Sequence, residues 1–273
     1  MNNLCDKVAI EKTFLNYDEQ IEKLKSKKLS ISDEDNAKLI LKQTSYFSLA
    51  TGYKDIFKDK STGFYKSECK FEDLVSLYYF DEELRTLFLR FILIIERAMK
   101  SQFSYVFCER FGELQDEYLN VNNYNYENYQ TEINELVGIL RNICTNKNSS
   151  YDYIRHNICK YSNVPLWVLV NALTLGNISK MYDFSKQSLQ SAIAKDYKDI
   201  YPQKLSAMLS VLSKFRNVCA HNERLYNYRT QKSIKDLPIH NELNIIKNGQ
   251  EFAYGKCCNC QVKFPLNFNR KFP

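Results

Sequence analysis

A chain of 273 residues, 44% apolar and 14% aromatic, has the material for a packed core and corresponds to one or two domains rather than a disordered segment. Seven glycines and five prolines supply few tight turns, which argues against a turn-rich all-β fold and favours long helices. The net charge is only +6, and nine cysteines, an odd number without framework spacing, fit a reduced, cytoplasmic protein.

The opening stretch "MNNLCDKVAIEKTF" carries charges and reads as no secretory leader. "YDEQIEKLKSKKL" (Tyr17 to Leu29) repeats Ile21, Leu24 and Lys28 and predicts a short amphipathic helix. A second follows: Ser32 is the expected N-cap, Asp33, Glu34 and Asp35 suit the positive end of a helix dipole, and Ala37, Ile40 and Leu41 recur at helical spacing. "FKDKSTGFYKSECK" reads as a loop or short hairpin.

From Phe71 the pattern becomes strongly helical. Leu84, Leu87, Phe88, Phe91, Ile94, Ile95 and Ala98 form a single stripe predicted to be buried, with Asp81 as the expected cap. Its apolar run "LFLRFILII" is broken by Arg90 and is far short of the ~20 residues of a membrane span. Glu96, Arg97 and Lys100 follow, either as a solvated edge or internal ion pair, or with Glu96 and Arg97 standing behind a functional site as supporting groups. "EYLNVNNYNYENYQ" lacks helical period and is expected to be a surface loop, although its tyrosines are of the type that stacks on bases.

"TEINELVGILRNICTN" is helical through Ile133, Leu136, Val137 and Leu140. Pro165 and Gly176 are expected to bracket a short helix containing Trp167, with His156 just before it. A further helix starts at Pro202, with Leu205, Met208, Leu209, Leu212, Phe215 and Cys219 as its inward stripe. The tail after Leu237 changes character. Cys257, Cys258 and Cys260 lack the second pair that a structural zinc site requires, so no metal is assigned.

Charge concentrates near the end of that last helix. Between Gln203 and Lys235 seven Lys or Arg face one acid, Glu223, a surplus equal to that of the whole chain. Such a patch suits a polyanion such as RNA, and equally a solvated helix face. Lys214, Arg224, Arg229 and Lys232 are its candidate RNA contacts. Within it stands "FRNVCAHNERLYN", holding Arg216, Asn217 and His221. Five helical residues turn about 140° beyond a full revolution, so Arg216 and His221 do not share a stripe. Asn217 and His221 do, and Arg224 extends their line.

One His, two Arg and one Asn beside a single carboxylate do not suit two-metal nuclease chemistry. Cys219 and His221, two apart, do not face each other as a nucleophile and base would. RNA cleavage, by contrast, uses the substrate's own 2′-OH. An imidazole can take its proton, an arginine can hold the phosphate oxygens, and Asn217 can orient them. The leaving 5′-oxygen then requires a second proton donor, supplied either by His156 or by a second copy of the chain in a homodimer.

Taken together, "YFSLATGYKDIF", "LYYFDEELRTLFLRFILIIERAMKS", "HNICKYSNVPLWVLVNALTLGNISKMY" and "FRNVCAHNERLYN" resemble the Abi-like proteins (AbiD/AbiF type) of bacterial abortive infection, of the HEPN superfamily. The resemblance runs from about residue 15 to about residue 235, most of the chain. It implies an all-α, HEPN-like helical bundle (66–236) after a small N-terminal helical region (1–65), with the tail (237–273) departing from the family pattern. It also implies a metal-independent endoribonuclease toxin of phage defence, without cofactor, membrane or DNA requirement, restrained in some relatives by a non-coding RNA. Arg216 and His221 match the family's catalytic pair, Asn217 the polar residue after the Arg, Arg224 and Tyr226 further positions of that block, and Glu96 its acidic helix position. The alternative is a non-catalytic module whose basic stretch grips a structured RNA; a target or regulator of nucleotide transfer stands behind both.

Overall fold

The computed structural model describes residues 13–230, together with 247–248 and 251–252. It is all-α: ten α-helices and four short 3-10 or π turns occur among the described residues, whose one sheet is a two-residue antiparallel pairing of β1 (Lys247–Asn248) with β2 (Glu251–Phe252). No helix among the described residues is long and apolar enough to cross a membrane. The chain forms two compact units, Met1–Glu83 and Leu84–Pro273, which meet inside one long helix.

In the first unit, α1 (Tyr17–Ser26) opens on a capping box, with Asn16 and Glu19 each accepting from the other's backbone N–H. It buries Ile21 and Leu24, as their spacing predicts. The cap of α2 (Glu34–Thr44) is Asp33, not Ser32: the Asp33 carboxylate accepts from Asn36 N, while Ser32 Oγ reaches Glu72. The shift is one residue, since any of the short polar side chains there can fill the same role. Buried Ile21, Leu24, Ala37, Leu41, Leu49, Phe71 and Leu74 form this unit's core. Residues 58–65 make the expected small hairpin, with Lys58 bridging Tyr65 and Gly63 at φ +73°.

The helix α3 runs unbroken from Phe71 to Phe111 and stops at Gly112, φ +100°, whose N–H returns to Cys108 O. Its start lies ten residues before Asp81, where Asp73 accepts from Lys70 N. Asp81 is therefore no cap. It is buried mid-helix and accepts a 2.7 Å hydrogen bond from Tyr53 Oη. The predicted stripe is also corrected. Leu87, Phe88, Phe91, Ile94 and Ile95 are all exposed, as is Ala98, and Leu84 is only half-buried. The inward face is instead Asp81, Arg85, Ile92, Glu96, Met99, Phe103 and Phe107. Periodicity reveals an apolar face, but not whether the chain itself covers it.

The second unit packs α5 (Gln130–Cys144), α6 (Asp152–Tyr161), α8 (Leu175–Asp183), α9 (Gln187–Ala194) and α10 (Pro202–Ala220) around the C-terminal half of α3. Ile133, Leu136, Val137 and Leu140 of α5 are buried as expected. The Asn- and Tyr-rich stretch is not a free loop. It folds as α4 (Gln115–Leu119) and one 3-10 turn, and Tyr118 and Tyr124 are core residues. Tyr118 Oη donates to Val164 O at 2.7 Å and Tyr124 Oη to Tyr118 O at 2.9 Å, so each hydroxyl enters the interior with a partner. Burial pushes both hydroxyl pKa values well above the usual tyrosine range. Gly176 does not close the helix after Pro165. That helix, α7 (Leu166–Leu169), is brief, and Gly176 lies in the first turn of α8, behind a capping box of Thr174 and Asn177.

Candidate active site

The site is built on α10 and the middle of α3, both in the second unit. Pro202 occupies the first turn of α10, where its missing N–H leaves no bond unmade. Leu205 and Leu209 then fix this helix in the main core, chiefly against α8. Further along, α10 turns a different set of side chains inward. Val218 and Cys219 join Leu225 in a small second core, covered by Leu84, Leu89, Phe215 and Tyr228. The Phe215 ring stacks on Phe88 of α3, centroids 6.2 Å apart, and meets Tyr228 edge-on at 5.2 Å.

Seated this way, α10 directs Arg216 at α3. Arg216 Nε lies 3.5 Å from Glu96 Oε2, and Lys100 Nζ lies 2.8 Å from Glu96 Oε1. Both contacts are ion pairs, and the alignment of the first makes no hydrogen bond. The carboxylate is buried, with 7% of the side chain exposed, against 14% for Lys100 and 26% for Arg216. A buried carboxylate is costly unless paired, and two cations meet that requirement here. A guanidinium held on its Nε edge retains four Nη donors, enough for a bidentate grip on a phosphate.

His221 is the C-cap of α10, and its side chain is exposed. The chain then turns sharply. Asn222 adopts φ +58°, and Glu223 N–H returns to Val218 O at 3.0 Å, a Schellman closure. Arg85 Nη1 approaches Glu223 O at 3.5 Å. The expected line Asn217–His221–Arg224 is therefore interrupted, because the helix ends at Ala220 and Arg224 lies beyond the turn. Asn tolerates the left-handed conformation better than most residues, which is why the stop falls there.

Asn217 and His221 are thus one helical turn apart on the exposed side, linked through His221 N–H to Asn217 O at 2.9 Å. Lys214 is half-buried, Arg224 and Arg229 are exposed, and Lys232 lies outside the described residues. Arg97 is exposed and outside the buried triad that Glu96 forms. His156 is on α6, exposed, with its ring edge-on to Tyr161 of the same helix. Cys219 is a core side chain of the satellite cluster, and Cys257, Cys258 and Cys260 lie outside the described residues. Among the described residues no three His, Cys, Asp or Glu side chains cluster as a metal site would require.

Sequence reasoning undervalued Arg85 and Lys100. The signal was available: Asp81, Arg85, Ile92, Glu96, Met99 and Phe103 recur at spacings of three, four and seven, which places charged residues on the inward face of α3.

No curated protein and no solved structure matches the chain. The sequence profile of the Abi-like proteins, however, matches residues 39–227, a span that holds most of α2, all of α3 and the whole of the site from Glu96 to His221. The chain belongs to the Abi-like protein family.

Proposed function

We propose that this protein is an endoribonuclease of the HEPN type acting in abortive infection, with Arg216 and His221 as its catalytic residues. The observation that carries the reading is the buried Glu96 carboxylate, which anchors Arg216 five residues before an exposed histidine at a pinned helix end. A surface-only basic patch has no use for a buried tether.

In this reading His221 takes the 2′-OH proton. The 2′-oxygen attacks the adjacent phosphorus, the P–O5′ bond breaks, the leaving O5′ takes a proton from a second imidazole or from water, and the products are a 2′,3′-cyclic phosphate and a 5′-OH. Arg216 holds the non-bridging oxygens as their charge rises. Asn217 lies on the exposed side to orient the phosphate, and Arg224, Arg229 and Lys214 extend a basic surface along the strand. Among the described residues the carboxylates beside Arg216 and His221 are Glu96 and Glu223. Glu96 is already neutralised by Lys100 and Arg216, so the chemistry is assigned to imidazole and guanidinium rather than to a bound ion. A neighbouring non-coding RNA fits the same surface as a restraining partner.

The test is cleavage of labelled RNA by the purified chain in EDTA, with and without His221→Ala. The expected result is metal-independent cleavage leaving cyclic-phosphate ends, lost in the variant while its circular dichroism is unchanged. A His221→Ala protein that cuts at the wild-type rate overturns the assignment. Steeply salt-dependent binding without cleavage in either protein establishes the RNA-holding module instead.

A further inference from the structure

We infer that the first unit carries an RNA-backbone site of its own, formed by Lys27, Lys28, Lys54, Lys58, Lys60 and Lys66. Lys27 and Lys28 stand at the C-terminal end of α1, and the other four lie on or beside the 58–65 hairpin. Backbone hydrogen bonds fix the arrangement. Tyr65 N–H donates to Lys27 O at 2.8 Å and joins hairpin to helix, while Lys66 N–H donates to Phe57 O at 3.0 Å and closes the hairpin. Lys66 Nζ donates to Ile56 O at 2.8 Å, which holds that side chain across the same turn.

What gathers here is like charge. Lys27 Nζ and Lys28 Nζ lie 5.7 and 4.8 Å from the centroid of one ring, Phe64. The two ammonium groups are therefore within about 10 Å of each other, comparable with the screening length at ~0.1 M salt. Lys58 Nζ lies 4.7 Å from the centre of the Tyr65 ring. Partial burial, with Lys54 and Lys27 close by, holds the Lys58 ammonium below the usual lysine range. Between Lys54 and Lys66 the acids are Asp55 and Asp59. Asp59 is committed to its own turn, accepting from Ser61 N–H at 2.8 Å and from Ser61 Oγ at 2.7 Å. Among the described residues, none of the six lysines has a carboxylate within 4.0 Å.

Local structure does not account for the cluster. The helix dipole favours cations at the end of α1, but it does not reach the four lysines of the hairpin. Lys28 is moreover in the left-handed region, φ +66°, inside a Schellman closure in which Lys28 N–H returns to Lys25 O and Leu29 N–H to Leu24 O. Glycine takes that position without strain, whereas a lysine there keeps a charge at a cost in stability. Ammonium groups spread over a helix end and a hairpin match a chain of phosphates rather than one anion. A bilayer is the weaker match, because Ile56 is the one large apolar side chain exposed between Lys54 and Lys66. The choice of RNA as the polyanion rests on the endoribonuclease reading; the patch itself does not.

The experiment is fluorescence anisotropy of the full chain with a labelled 2′-O-methyl RNA of roughly 20 nucleotides, which has no free 2′-OH to be cleaved through. Lys27→Gln/Lys28→Gly/Lys58→Gln is compared with wild type and with Lys186→Gln/Lys195→Gln/Lys198→Gln, which removes the same charge from exposed positions of the second unit. Each phosphate contact to a single strand contributes about 0.7 to the slope of log affinity against log salt. The patch variant is therefore expected to lose about 2 from that slope and about 100-fold in affinity at ~0.1 M salt, and the control to stay within about threefold of wild type. Lys28→Gly alone is expected to lose about 0.7 of slope and to melt no lower than wild type, which separates charge from folding. Unchanged affinity in the patch variant, or equal losses in patch and control variants, overturns the site. Wild-type protein that sediments with phosphatidylserine vesicles through these lysines while its RNA affinity ignores them assigns the patch to a membrane and overturns it too. Lysine-dependent binding by a protein that cuts no unmodified RNA leaves this site standing and removes the endoribonuclease reading.

Discussion

Replacing Glu96 by glutamine removes one charge and almost no volume from the centre of the Lys100–Glu96–Arg216 triad. Lys100 Nζ sits 2.8 Å from the carboxylate and only 14% of its side chain meets solvent, so it loses a close opposite charge that water replaces poorly. Arg216 Nε is at 3.5 Å, off the line of a hydrogen bond, and 26% of its side chain is exposed, so its share is smaller. Breaking a buried pair by removing one partner costs about 3–5 kcal/mol; discounted for the exposed arginine, the expected loss is about 2–4 kcal/mol. In a domain of this size each kcal/mol lowers Tm by ~2–4 °C, so Glu96→Gln should melt roughly 5–15 °C below wild type in calorimetry at neutral pH. Arg216→Gln in the Glu96→Gln background should then cost less than in wild type, because its charge partner is gone. A Glu96→Gln protein melting within about 2 °C of wild type, or substitutions at 96 and 216 that add to within ~0.5 kcal/mol, would refute the tether.

Asn222, at φ +58° in the turn that ends α10, should accept glycine with no loss of stability or a gain of up to ~1 kcal/mol, whereas Asn222→Val should cost about 1–2 kcal/mol; urea unfolding distinguishes them, and equal stabilities would mean that the turn is not held as described. Burial keeps the Tyr118 and Tyr124 hydroxyls protonated in the fold, so the stability this contributes is complete below pH ~10, the range of an unfolded tyrosine, and is lost as pH rises beyond it. Absorbance at 295 nm should therefore show a late group of tyrosines ionising together with loss of helical circular dichroism. Ionisation of every tyrosine with the helices intact would contradict their burial.

The sequence by itself determined most local structure. The spacing of Ile21 and Leu24, of Ile133 to Leu140, and of Leu205 and Leu209 named helices and inward faces correctly, because an amphipathic helix with an ordinary core is written in 3.6-residue periodicity. Pro202 marked the start of α10, since the first turn is where a proline costs least. Arg216, Asn217 and His221 were visible as a group because they are close along the chain. Tertiary structure decided the rest. The α3 stripe read as core is exposed, and Asp81, Arg85 and Glu96 point inward, because periodicity specifies a face without its destination. Tyr118 and Tyr124 became core because their hydroxyls found carbonyls 46 and 6 residues away. The pairing of Glu96 with Arg216 joins positions far apart in the chain. It exists only because α10 docks with Phe215 on Phe88, a packing contact that no spacing within either helix encodes.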